Sequence, residues 1–111
     1  MGKQRKRRNL PKHPDVLGLA RSCVEQGRYR DTRHGGDRRE EREITLMDVK
    51  VVLKTGWHEK ARDRYEDEYL AWSYAVCGKT TDGRAVRVVI SFETDEQGEL
   101  LLLVTTIDLD A

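Results

Sequence analysis

Residues 70–92 read Leu-Ala-Trp-Ser-Tyr-Ala-Val-Cys-Gly-Lys-Thr-Thr-Asp-Gly-Arg-Ala-Val-Arg-Val-Val-Ile-Ser-Phe, and this stretch decides the fold class. Leu70, Trp72, Tyr74 and Val76 alternate with Ala71, Ser73, Ala75 and Cys77. That period of two predicts a strand over 69–78 with one bulky face and one small-residue face. Thr81-Asp82-Gly83 predicts a hairpin turn, with Asp-Gly supplying the positive φ angles. Val86, Val88, Ile90 and Phe92 then share one face of the next strand, and Ala85, Arg87, Val89 and Ser91 the other. Asp95–Gly98 turns the chain again. Leu100–Ile107 is apolar on both faces, the pattern of a central or covered strand. Residues 57–64 fit a further, more polar strand.

Towards the N-terminus the period changes. Val16, Leu19, Ala20 and Cys23 recur at helical spacing and predict a helix from Asp15, stopped by Gln26-Gly27. Tyr29 to Arg33 reads as a short strand or an extended linker. In residues 34–43 opposite charges meet at three- and four-residue spacing, the pattern of a short solvated helix. Thr45-Leu46-Met47-Asp48 fits a capping box with Asp in place of Glu, so Thr45 begins a second helix with Leu46, Val49 and Leu53 on its buried side. Thr55-Gly56 ends it. The expected class is α+β: N-terminal helices packed on an antiparallel meander sheet of three to five strands. Residues 1–14, with Pro11 and Pro14 among six cations, read as a flexible basic tail. Residues 15–111 then form a single domain.

A chain of 111 residues leaves no room for a multidomain enzyme or a full dinucleotide-binding fold. Its net charge of +1 conceals two halves. Residues 1–42 hold 13 Lys/Arg against 6 Asp/Glu, and the remainder 8 against 14. A basic half points to a polyanion as partner, or simply to a soluble basic surface. Two cysteines, Cys23 and Cys77, fit buried reduced thiols better than a disulfide framework. No signal peptide is visible, and the longest apolar run, Leu100 to Val104, is far short of a membrane span. The expected location is the cytoplasm, without a membrane partner.

Two blocks of sequence resemble a specific small-domain family. The first is His34-x3-Arg38-x3-Arg42-x-Ile44-Thr45-x3-Val49, closing on Lys54-Thr55-Gly56. It is similar to the family pattern His-Ala-x2-Arg-Met-x2-Arg-Gly-Ile-Ser. The second is the hairpin Gly78-Lys79-Thr80-Thr81-Asp82-Gly83-Arg84 followed by Val86-Arg87-Val88-Val89. The family is a domain of unknown function grouped with RelE-like and MqsR-like toxins, small ribonucleases of bacterial toxin–antitoxin pairs. The resemblance spans residues 28–107, and its MqsR-like part also touches Gln26 to Arg33. Gly35, Arg39 and Glu43 stand where the family prefers Ala, Met and Gly. The chain ends in Thr105-Thr106-Ile107-Asp108, without the C-terminal tyrosine that RelE-like toxins often carry. The resemblance implies a RelE/MqsR-like fold, RNA as substrate (ribosome-bound mRNA included), an antitoxin protein as partner and no cofactor.

Metal-free RNA cleavage needs a base for the 2′-hydroxyl, a cation for the phosphate and an acid for the leaving oxygen. His34 is the candidate base, its structural alternative being to cap the helix that follows. Arg87 is the candidate phosphate cation, because it stands mid-strand on the small-residue face. Its alternative is an exposed strand charge. Lys60 falls near a lysine of the MqsR-like pattern and completes the catalytic set. Arg33, Arg38, Arg42, Lys79 and Arg84 are candidate RNA contacts, with salt bridging or turn solvation as the plainer readings. Trp57, Trp72 and Tyr74 could stack bases or fill the core. No metal-ligand spacing joins Cys23, His34, His58 and Cys77, and Gly35-Gly36 alone is not a phosphate loop. Two functions stay open: a toxin-like, metal-independent endoribonuclease, and a non-catalytic RNA- or protein-binding module on the same fold.

Overall fold

The computed structural model describes residues 10–33 and 43–109. In chain order it comprises α1 (Val16–Glu25), β1 (Tyr29–Asp31), α2 (Leu46–Thr55), β2 (Trp57–His58), a 3-10 turn (Lys60–Arg62), β3 (Arg64–Glu66), β4 (Ala71–Lys79), β5 (Ala85–Thr94) and β6 (Leu100–Asp108). The α+β class holds. The sheet is larger than expected, with six strands, and it is mixed rather than antiparallel throughout. The order runs β1-β6-β5-β4-β2, with β3 also on β4.

Two features account for the difference. β1 pairs parallel to β6, Tyr29 opposite Leu102, a contact across more than seventy residues that local periodicity does not reveal. The polar stretch 57–64 is two strands on one edge of β4. Trp57 and His58 face Cys77 and Val76, and Arg64 to Glu66 face Ser73 to Ala71. Between them the 3-10 turn lifts away from the ladder. β4 itself starts at Ala71 rather than at Tyr69, because Leu70 takes a left-handed φ of 52° that ends extended backbone.

The alternation along 72–92 produces two distinct sheet faces. Tyr74, Val76, Val88 and Ile90 are buried with Leu102, Val104 and Ile107 beneath both helices. From α1 come Val16, Ala20 and Cys23, and from α2 Val49, Val52 and Leu53. Both cysteines are free and buried. The predicted capping box is present: Thr45 and Asp48 bond each other's backbone N–H. Asp48 also accepts from the Thr81 hydroxyl at 2.9 Å, so the start of α2 is tied to the β4–β5 hairpin. That hairpin has a three-residue loop, closed by Thr80 N–H to Arg84 C=O at 2.9 Å and Gly83 N–H to Thr80 C=O at 3.0 Å. Only Gly83 has a positive φ there, so Asp82-Gly83 fills the end of a longer loop instead of a two-residue turn. No helix among the described residues is long and apolar enough to cross a membrane.

α2 ends where Gly56 meets β4. A β-carbon on Gly56 would lie 2.1 Å from the carbonyl oxygen of Cys77 and 2.6 Å from that of Val52. Both atoms belong to backbone held in regular structure, so neither can give way. Gly56→Ala is expected to cost about 1–3 kcal/mol, an overpacking cost, read as a lower urea midpoint with unchanged slope.

Candidate functional site

The sheet face opposite the helices carries the small side chains of β4 and the alternate residues of β5. It forms an open concave surface of about 890 Å³ bordered by Arg62, Arg64, Ser73, Arg87, Ser91 and Thr105. Cross-strand register sets one end of it: Cys77 pairs with Arg87, and Arg87 with Asp108. Arg87 therefore lies on the small-residue face, as its position in the pattern implies. It is not a lone cation. Its Nε donates to Glu59 at 2.7 Å and its Nη1 to Asp108 at 2.7 Å. The same Glu59 oxygen accepts from the Cys77 thiol at 3.1 Å. The Arg87 guanidinium and the Cys77 thiol hold the Glu59 carboxyl below its usual range. Burial, with Glu59 beside it, pushes the Cys77 thiol up, away from thiolate reactivity.

The other sequence candidates are scattered. Lys60 is exposed on the 3-10 turn next to Glu59. Lys79 is exposed at the end of β4. Arg84 pairs with Asp82 at 3.1 Å across the hairpin loop. Arg33 binds Asp31 at 2.7 Å and the carbonyl of Ile44 at 3.0 Å. His34, Arg38 and Arg42 lie outside the described residues, as does the helix expected over 34–43 apart from Glu43. Trp57 is 60% exposed on the edge strand, while Tyr74 is core and Trp72 packs against it.

A second cluster, not evident from spacing, forms on the helix side of the same edge. Asp63 follows the 3-10 turn, and its side chain is fully buried. Its carboxylate accepts from His58 Nε2 at 2.8 Å, from the Lys12 ammonium at 2.9 Å and from the backbone N–H of Ala75 at 3.1 Å. Leu10 to His13 crosses this end of the sheet. The Leu10 carbonyl accepts from the Trp72 indole at 2.6 Å, and the His13 N–H donates to the Tyr74 hydroxyl at 3.0 Å. The Lys12 ammonium also sits 4.7 Å from the centre of the Trp72 ring. The rings of His13 and His58 both rest on Tyr74, with centroids 6.2 and 5.8 Å away. Burial raises the Tyr74 phenol, so it stays protonated. His58 and Asp63 are five residues apart in a segment without periodicity, and Lys12 belongs to the stretch read as tail. Only the edge position of a charged aromatic stretch could have drawn attention to them.

The model of one family matches residues 32–108, most of the folded chain. The chain belongs to the DUF4258 family, a domain of unknown function. The match contains both blocks, the one from His34 and the hairpin with Arg87. No curated protein and no solved structure matches the chain.

The Glu59–Arg87 pair makes a pH prediction. A carboxylate with a lowered folded value contributes stability that is fully present above its unfolded pKa of about 4.3 and is lost as pH falls through the folded value. The stability gap between wild type and Glu59→Gln is therefore expected to be constant from pH 7 to pH 5. It should close as the pH drops further, as measured by urea melts across that range.

Proposed function

We propose that this DUF4258 domain acts on RNA as a toxin-like, metal-independent endoribonuclease, with the RNA backbone laid across the helix-free sheet face. The single observation that supports this most is the position of Arg87. It is fixed at one end of an open, hydroxyl-lined surface, with its guanidinium plane set by two carboxylates. A phosphate approaching that surface meets an oriented cation that needs no reorganisation. Arg62 and Arg64 border the same surface and supply further phosphate contacts. The grouping with RelE-like and MqsR-like toxins that the family resemblance implies points the same way. An antitoxin protein and a cytoplasmic setting belong to this reading.

A second reading has its own support. Arg62, Arg64 and Arg87 share the surface with Glu66, Glu93 and Asp108, so the face is balanced in charge. Such a face suits a protein partner with charges of both signs, in a non-catalytic binding module.

Purified protein is incubated with total cellular RNA in EDTA, and with translating ribosomes. Wild type is expected to cleave. Arg87→Gln is expected to lose about 10²-fold of the rate while keeping its fold by circular dichroism. Intact RNA in both settings would remove the ribonuclease reading. Salt-sensitive RNA binding would then indicate an RNA module. Its absence would indicate a protein-binding one.

A further inference from the structure

We propose that His58 is the proton-transferring residue for phosphodiester cleavage, in a site shared with Lys12 and His13 at the β2 edge. The proposal rests on the RNA reading for its substrate and places the bond that is cut over the edge, at Lys12 and the two histidines, with Arg87 holding the strand on the other face.

The protonation pattern follows from the hydrogen bonds. Asp63 accepts from an ammonium and a backbone N–H, so its oxygens act as acceptors here. An acceptor at 2.8 Å requires the proton of His58 to sit on Nε2. In the neutral ring Nδ1 is then the basic nitrogen, and it makes no hydrogen bond to any described residue. A carboxylate that fixes the tautomer and leaves the other nitrogen basic is the arrangement a general base needs. The T-shaped contact with Tyr74, with planes at 74°, holds the ring orientation.

Two neighbours complete the chemistry. Lys12 gives Asp63 one hydrogen bond and has a side chain 37% exposed, so its remaining N–H groups are available to a phosphate oxygen. His13 packs edge-on against Phe92, with centroids 5.1 Å apart, and flanks Tyr74. Its ring nitrogens make no hydrogen bond among the described residues. Trp57, His58 and Glu59 are consecutive at the sheet edge, and in a strand neighbouring side chains take opposite faces. An RNA strand leaving the Arg87 face over this edge thus meets Trp57 and then His58.

In the step itself, His58 Nδ1 takes the proton of a ribose 2′-hydroxyl. The 2′-oxygen attacks the adjacent phosphorus, and the bond from phosphorus to the 5′-oxygen breaks. His13, as the acid, gives a proton to that oxygen. The products are a 2′,3′-cyclic phosphate and a free 5′-hydroxyl, and water exchange resets both rings.

His58→Gln keeps a donor towards Asp63 and removes the basic nitrogen, so the fold is retained. Cleavage of a labelled RNA oligonucleotide in EDTA is expected to fall at least about 10²-fold in this variant. In His58→Ala, added imidazole is expected to restore part of the rate, which a structural histidine would not show. Binding is read separately, by following the His58 ring protons by NMR as cytidine 3′-monophosphate is added. They are expected to shift in wild type and much less in Lys12→Gln. If wild type and Arg87→Gln behave as expected but His58→Gln cleaves like wild type, the proposal is wrong and the RNA reading stands. If wild type does not cleave but the ring protons shift in a Lys12-dependent way, the nucleotide site stands and the ribonuclease reading falls. Neither cleavage nor shift overturns both.

Discussion

The carboxylate of Asp63 organises the edge on which this structure depends. Opposite Ala75 the edge strand is interrupted, and the 3-10 turn takes residues 60–62 out of the ladder. The Ala75 carbonyl keeps a partner in the Glu59 N–H at 2.8 Å, but its N–H would face no strand acceptor. Asp63 supplies the missing acceptor from a side chain. A charge buried this fully is tolerable only when it is paired and hydrogen-bonded. Lys12 and His58 meet that requirement, and in doing so they fix the N-terminal segment and the imidazole. One solvation requirement therefore joins the chain start, the broken edge strand and the centre of the sheet.

The same logic operates on the opposite face with different groups. Arg87 is largely buried and would be costly alone, so Glu59 and Asp108 flank it. Glu59 is adjacent to His58 in sequence, yet the two serve separate networks because strand alternation sends them to opposite faces. The edge strand thereby links the surface that Arg87 borders to a histidine-centred cluster through a single peptide bond. A third anchor, Asp48, couples the capping of α2 to the hairpin loop through Thr81. Its carboxyl is held below the usual range, first by the Thr45 backbone N–H and then by Thr81. In all three places a carboxylate satisfies donors from segments far apart in sequence.

Much of the fold was legible because it is local. The helices show through Val16, Ala20 and Cys23 and through the Thr45–Asp48 box. The strands show through alternation at 72–76 and 86–92, and Arg87 was placed on its correct face by parity alone. What escaped reading was non-local or irregular. β1 joins β6 across more than seventy residues, Leu70 breaks β4 by a backbone angle, and the 57–64 stretch divides in two.

The candidate site divides along the same line. The sequence by itself determined which face Arg87 occupies, because a strand's period of two leaves no freedom once one face is apolar. It also carries the two motif blocks, both of which lie inside the family match. Only the tertiary structure decided that Arg87 is held between Glu59 and Asp108, and that Lys12, His13, His58, Asp63 and Tyr74 meet. Those contacts come from five separate segments brought together by sheet register and a buried charge. No spacing within a single segment encodes a requirement that several segments satisfy jointly.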